Sequence, residues 1–255
     1  MARFKVGVQL HPQHCTIPEL RAAAREVESL GADSLWTWDH FFPLYGDPDG
    51  PHFEGWTLLT AFACDTERVQ LGHLVTCNSY RNPELLADMA RTVDHVSNGR
   101  VVLGVGSGWF ERDYEEYGYE FGTARSRLQD LEDALPRIRT RLRSLNPGPA
   151  HRMPILIGGD GEKVTLRLVA EHADMWNGFG PPQDYARRND VLNEWCARVD
   201  RDPSAIERTV LIDEPGEVDA AAAFVDAGAT HVVLGLGAPF DLALARRLLE
   251  ARDRS

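Results

Sequence analysis

Polar and apolar positions follow two alternating rhythms along the chain. Short apolar runs recur at Phe4 to Leu10, Ser34 to Trp38, Val69 to Thr76, Arg100 to Val105, Pro154 to Ile157, Asp174 to Asn177, Thr209 to Asp213 and His231 to Gly235. Runs this short, rich in Val, Leu and Ile, predict strands buried on both faces. Between them lie stretches with helical spacing: Pro18 to Leu30 closed by Gly31, Gly55 to Cys64, Pro83 to Val96, Arg125 to Leu145, Glu162 to His172, Gln183 to Val199, Glu217 to Ala227, and a last one from about Phe240 to Ala251. In the longest, Leu128, Leu131, Leu135, Ile138 and Leu142 share one face, while Pro136 predicts a kink or break. Strands alternating with helices predict a parallel sheet, and eight such units predict an α/β fold of the closed (β/α)8 barrel type over an open doubly wound sheet. No composition break is long enough for a linker, so residues 1–255 are expected to form a single barrel domain. One connection, Phe41 to Gly55, is long and rich in Pro, Gly and Asp, the kind of loop that often serves as a lid.

Composition narrows the partners. Hydrophobic residues make up 43% and charged residues 26% of 255 residues, as expected of a soluble globular chain. A net charge of -12 excludes the basic face of a nucleic-acid binder and argues against an anionic membrane surface. No apolar run reaches the ~18 residues of a membrane span. The first residues, Met-Ala-Arg-Phe-Lys-Val, lead straight into a strand, so no signal peptide is expected. Four scattered cysteines, Cys15, Cys64, Cys77 and Cys196, form no CxxC pair and suggest a reducing, cytoplasmic setting. The nine histidines contain no HxxxH or HxH spacing, so no metal site is expected.

In such a barrel the chemistry gathers where strands end. Asn98 to Phe110 joins a buried strand to alternating Gly104, Gly106 and Gly108, then Trp109. This suits the floor of a pocket for a flat ligand, or simply tight strand–helix packing. The second strand ends in Asp39-His40; a histidine on the catalytic rim can give or take a proton near neutral pH. Tyr80-Arg81, after the third strand, could meet an anion or a ring, or form an ordinary turn. Gly158-Gly159-Asp160-Gly161 opens a helix, and its free amides suit a phosphate provided Asp160 points away. It is neither a Walker loop nor GxGxxG. Trp176-Asn177 and Gly235-Leu-Gly237 could line the pocket or close turns, and Trp195 and Cys196 read as core. Of Glu111, Asp113, Glu115 and Glu116, most read as a solvated helix face, with one able to reach a substrate or cofactor.

Several of these segments together resemble the luciferase-like flavin and deazaflavin oxidoreductases. They are Leu103-Gly-Val-Gly-Ser-Gly-Trp109 with Gly118, Phe121 and Arg125 to Leu131; Trp38-Asp-His-Phe41; Tyr80-Arg-Asn-Pro83; and Pro154 to Lys163 running on to Ala173-Asp-Met-Trp-Asn177. The likeness spans Phe4 to about Arg247, in order, and looks most like the branch that uses coenzyme F420. It implies a luciferase-like (β/α)8 TIM barrel with the deazaflavin across the strand ends. A non-proline cis peptide near Leu74-Val75 would bulge against the ring. Gly158, Gly159 and Gly161 would hold the cofactor's phosphate, Asp39 would face the ring's polar edge, and Thr76, Gly106 and Trp109 would line the site. His40 would be the acid or base beside hydride transfer to a small-molecule substrate, and a homodimer is the family's habit. Arg81, Arg125 and Lys163 are candidate donors to the anionic coenzyme. The chain departs from relatives in its short Leu145 to Pro154 segment, which implies a more open pocket or one completed by a partner subunit. It also has Asp113 where Glu is common. The alternatives are an FMN-dependent monooxygenase on the same fold, a non-catalytic cofactor carrier, and a sugar-phosphate isomerase; for the last, no Lys or paired-carboxylate set is evident at the strand ends.

Overall fold

The structure, a computed structural model, describes residues 4–254. Its strands are β1 (Lys5–Leu10), β2 (Ser34–Thr37), β3 (Gln70–His73), β4 (Thr76–Cys77), β5 (Val101–Gly106), β6 (Ile155–Gly158), β7 (Met175–Gly178), β8 (Glu207–Ile212) and β9 (His231–Leu236). The helices are α1 (Ile17–Ser29), α2 (Gly55–Asp65), α3 (Pro83–Val96), α4 (Glu111–Tyr117), α5 (Ala124–Ser144), α6 (Thr165–His172), α7 (Pro182–Arg198), α8 (Pro215–Asp219), α9 (Ala221–Asp226) and α10 (Ala243–Arg254). Neighbouring strands run in the order β3-β2-β1-β9-β8-β7-β6-β5-β4, all parallel, and β3 also pairs with β5, which closes the ring. This is the expected barrel.

The third barrel position is where the expected strand, Val69 to Thr76, proves discontinuous. β3 pairs with the start of β5 (Leu71 with Val101), and β4 with its end (Thr76 with Val105). Between them Leu74 and Val75 leave the ladder, joined by a cis peptide bond. The interior makes room for them. A β-carbon on Gly104 would lie 2.0 Å from the His73 carbonyl oxygen; on Gly106 it would lie 2.7 Å, and on Gly158 2.9 Å, from the Val75 methyls. Across the barrel the buried Gln9 amide donates to the Leu74 carbonyl at 2.8 Å.

Alternation along each strand divides the core into two layers. Inside the barrel, Trp36, Leu74, Val102, Leu156, Met175 and Val233 pack together. Outward-facing partners such as Val8, Leu35, Leu103 and Ile157 meet the helices in one large cluster. α5 runs through Pro136 without a break in its assignment. Leu131, Ala134, Leu135 and Ile138 are all buried, so packing holds the turns on both sides of the proline. α6 starts three residues later than expected, after a turn at 162–164, and the stretch expected as one helix from Glu217 is split into α8 and α9 at Ala220.

The opposite end of the barrel is tied by a polar chain that runs from the half-exposed Lys5 to buried Ser34. Lys5 Nζ meets Glu207 Oε2 at 2.8 Å, Glu207 Oε1 meets His231 Nδ1 at 2.8 Å, and His231 Nε2 meets Ser34 Oγ at 2.8 Å. Trp36 Nε1 donates to the same hydroxyl at 2.6 Å. Burial alone would raise the Glu207 carboxyl, but the hydrogen bonds and charges of His231 and Lys5 outweigh it and bring it from 4.5 to about 2. A carboxyl depressed in the folded state stabilises fully above its unfolded value and loses that contribution as pH falls through the folded one. Glu207→Gln is therefore expected to flatten the loss of stability between pH 4.5 and 2, read as urea midpoint against pH.

The steric fit at the strand break gives a second test. Gly104→Ala forces a β-carbon against main chain and is expected to cost about 1–3 kcal/mol or more. Gly216→Ala, in α8 with open space around it, is expected to be neutral or stabilising by up to about 1 kcal/mol. Equal losses in the two variants, by chemical denaturation, would remove the packing account.

Candidate active site

At the carboxyl end of the strands lies a cleft of about 290 Å³, lined by Asp39, His40, Leu74, Val75, Cys77, Gly106, Ser107, Gly108, Trp109, Gly158, Gly159, Asn177 and Phe179. Eight of the expected site residues therefore meet there. Two do not line it. Thr76 is fully buried in β4 and its hydroxyl has no partner among the described residues. Gly161 is exposed and packs near Thr165, its added β-carbon 2.7 Å from the Thr165 hydroxyl. A larger groove of about 530 Å³ runs between α2 and α3 on the outside of the barrel, lined by Trp56, Leu85 and Met89 among others, away from the strand ends.

His40 is held by a group that sequence reading left unresolved among four carboxylates. Asp113, in the first turn of α4 and wholly buried, meets His40 Nδ1 at 2.7 Å. The Tyr80 hydroxyl donates to the same oxygen at 2.8 Å, and the other oxygen accepts the backbone N–H groups of Phe41 and Phe42 at 3.1 and 3.2 Å. Burial pushes the Tyr80 hydroxyl far above its ordinary value, with the charges of Cys77 and Asp113 adding to it; it stays a donor. Trp109 and Phe110 stand edge-on to the imidazole, at 5.7 and 5.5 Å between ring centres. Nδ1 is thus engaged, and Nε2 makes no hydrogen bond to a described residue.

Asp39 is occupied differently. Arg81 grips its carboxylate with both guanidinium nitrogens, at 2.5 and 2.8 Å, and Cys77 N–H donates at 3.1 Å. Arg81 also reaches Glu54. The expectation that Arg81 serves as a free anion donor is thereby corrected: its charge is spent inside the protein. Asp39 is buried and the Arg81 side chain is 9% exposed, so breaking the pair strands a buried carboxylate. Arg81→Met is expected to cost about 3–5 kcal/mol by urea denaturation; a loss under about 1 kcal/mol, the range of exposed pairs, would show the pair to be solvated.

After β6 the chain turns sharply at Gly159, whose φ is +128°. Gly159 N–H donates to Asn177 O at 3.1 Å and Trp176 Nε1 donates to Gly159 O at 2.9 Å, so the loop is fixed to β7. Asp160 turns its carboxylate to Arg188, at 3.2 Å, and to the Phe179 N–H. Burial nonetheless raises this carboxyl above its ordinary value, against the opposing charge of Arg188. The backbone N–H groups of Asp160 and Gly161 have no partner among the described residues. Asn177, fully buried beneath the cleft, accepts from the Thr209 hydroxyl at 2.8 Å, while its Nδ2 is unpartnered. No group of three or more His, Cys, Asp or Glu suited to a metal occurs among the described residues, and no helix there is long and apolar enough to cross a membrane.

A closed parallel barrel with a histidine–carboxylate pair beside a cleft at its strand ends belongs to the (β/α)8 enzyme class. Within that class the chain is a member of the luciferase-like monooxygenase family, whose model matches residues 1–214. An uncharacterized protein of Mycobacterium tuberculosis is 26% identical over 244 residues, covering 84% of this chain and 86% of its own. An F420-dependent glucose-6-phosphate dehydrogenase of Amycolatopsis mediterranei is 35% identical over 139 residues, 53% of this chain and 41% of that protein. Among solved structures, an F420-dependent secondary alcohol dehydrogenase in complex with an F420-acetone adduct superposes with a TM-score of 0.86 at 18% identity, covering 98% of both chains. The oxygenating constituent of 3,6-diketocamphane monooxygenase from Pseudomonas putida, in complex with FMN, gives 0.75 at 13%, covering 97% of this chain and 96% of that one. F420-dependent and FMN-bound proteins are thus both among the structures that share this fold.

Proposed function

We propose that the cleft binds coenzyme F420 and that the protein transfers a hydride between this deazaflavin and a small organic substrate. The donor set fits such a group. The cleft floor is apolar at Leu74 and Val75, Asn177 Nδ2 is buried beneath it without a partner among the described residues, and just beyond the lining residue Gly159 the backbone N–H groups of Asp160 and Gly161 are unpartnered donors suited to an anion. Asp160 itself is turned toward Arg188, which removes the charge objection to that loop. Bound there, a deazaflavin supplies the hydride chemistry.

The protein's own part is proton handling and position. The observation that carries the reading is the His40–Asp113 pair on the rim of the cleft. With Nδ1–H donated to the carboxylate, Nε2 is left to take a proton from a substrate hydroxyl or return one to a carbonyl. The buried Asp113 offsets the positive charge that then develops on the ring. Tyr80 and the Phe41 and Phe42 amides hold that carboxylate in place, so the ring cannot swing out of register. Gly158 and Gly159 would help hold the cofactor's phosphate, and Trp109 would line its site.

The second reading, oxygen-dependent chemistry with FMN, is favoured by the family's description as monooxygenases. One titration separates the two. Fluorescence of F420 is expected to change saturably on adding protein, with FMN binding weakly; retention of FMN together with NADH-driven oxygen uptake would replace the proposal. His40→Ala is expected to leave F420 affinity within about twofold and to lower turnover by about 10²-fold. Unchanged turnover would take the proton role from His40.

A further inference from the structure

Opposite the glycine loop, the mouth of the barrel holds a second histidine that the proposed chemistry does not use. His11 follows β1 and is 93% buried, its relative exposure being 7%. Its Nδ1 is hydrogen-bonded to the Tyr45 hydroxyl, and its Nε2 makes no hydrogen bond to a described residue. We propose that His11 is a second substrate-contacting group of this site, a neutral imidazole that donates from Nε2 to an oxygen of the substrate, a carbonyl or a hydroxyl. The inference rests on the cleft being the active site, as proposed above.

Placement is the first argument. Side chains alternate along a strand, so His11 shares the inward face of Gln9, one layer nearer the mouth. Gln9 is the residue that touches the Leu74 carbonyl on the cleft floor, and His11 N–H continues the ladder to Leu236 O at 2.9 Å. The ring packs against two glycines, one within β9 and one past it, whose missing β-carbons leave the space it occupies. A β-carbon on Gly235 would lie 3.0 Å from His11 Nε2, and one on Gly237 would lie 3.6 Å from Nδ1. Trp38 joins the two histidines. His11 stacks on it at 4.3 Å between ring centres, and His40 stands edge-on to it at 6.1 Å.

The tautomer follows from the partner. A phenol is a far better donor than a neutral ring N–H, so Tyr45 gives its proton to Nδ1 and the ring's own proton sits on Nε2. Burial holds the imidazole down at about 4, so it stays neutral at physiological pH. Among the described residues no carboxylate is hydrogen-bonded or ion-paired to it: the ring meets the Tyr45 hydroxyl, stacks on Trp38 and packs against Gly235, where an added β-carbon would also lie 3.6 Å from the Asp213 β-carbon. His40 has the opposite environment, a buried carboxylate on Nδ1. Two like side chains given unlike surroundings take different roles, one moving the proton and one holding an oxygen.

The test uses cyclohexanone, a small ketone whose oxygen can accept a hydrogen bond. In long-range ¹⁵N spectra of histidine-labelled protein, with His11→Gln assigning the resonance, His11 is expected as the Nε2–H tautomer and untitrated from about pH 8 to 5. Tyr45→Phe is expected to mix the tautomers. Cyclohexanone, added without cofactor, is expected to shift the His11 Nε2 signal. With F420 present, His11→Ala is expected to weaken cyclohexanone binding about tenfold while F420 affinity stays within about twofold, and His11→Gln, which keeps a donor, to recover part of the loss. A ring titrating near 6.5, a proton on Nδ1, no shift with cyclohexanone, or equal affinity in His11→Ala each overturns the proposal. Failure of F420 to bind strikes only the cofactor assignment, because the spectra without it still decide the role of His11.

Discussion

A single steric exchange organises the mouth of this barrel. Val75 projects where a regular strand would place main chain, and Gly106 and Gly158 give up their β-carbons to admit it, while Gly104 does the same for the His73 carbonyl. Gln9 clamps the exposed Leu74 carbonyl from across the barrel. Beyond the interruption the ladder resumes one residue out of step, Gly72 pairing with Val102 but Thr76 with Val105, so the closed sheet is kept and one apolar step is added at its rim. The cleft rests on that step. Its depth is set by residues from the first, third, fourth and fifth barrel positions together, and none can be altered alone without reshaping the floor.

Charge at the rim is arranged by partner rather than by composition. Two fully buried carboxylates, Asp39 and Asp113, lie on either side of the Tyr80–Arg81 turn and take opposite company. Asp39 receives a guanidinium fork and becomes part of a neutral, rigid brace. Asp113 receives two amides, a phenol and an imidazole. The same turn therefore supplies the lock for one acid, through Arg81, and the orienting hydroxyl for the other, through Tyr80.

Much of the fold was legible in the sequence because buried parallel strands are short, apolar and evenly spaced, and that rhythm survives without knowledge of contacts. The gathering of Asp39, His40, Gly106, Trp109, Gly158 and Gly159 was legible for the same reason: each ends a strand. What escaped was set by distance along the chain. Asp113 lies 73 residues from His40 and reads as one acid in an acidic helix until the fold brings them together. Arg81 looks like a free cation until Asp39 and Glu54 are seen beside it. Thr76 moved out of the expected lining because the interruption before it changes which face it occupies. The Leu74–Val75 break has no signature in composition or periodicity; only the resemblance to a family pointed to it. Pro136 shows the converse, a strong local signal overridden by a buried face.

The long connection after β2 carries a last implication. Gln13 binds the Leu44 amide and the Tyr45 carbonyl, His14 binds Tyr45 and Pro51, Arg112 holds Pro48 and Asp49, and Trp38 donates to His52. A flap stitched at so many points along its length is a doorframe rather than a door. Any swing of this loop would have to break its bonds to Gln13, His14 and Arg112 together.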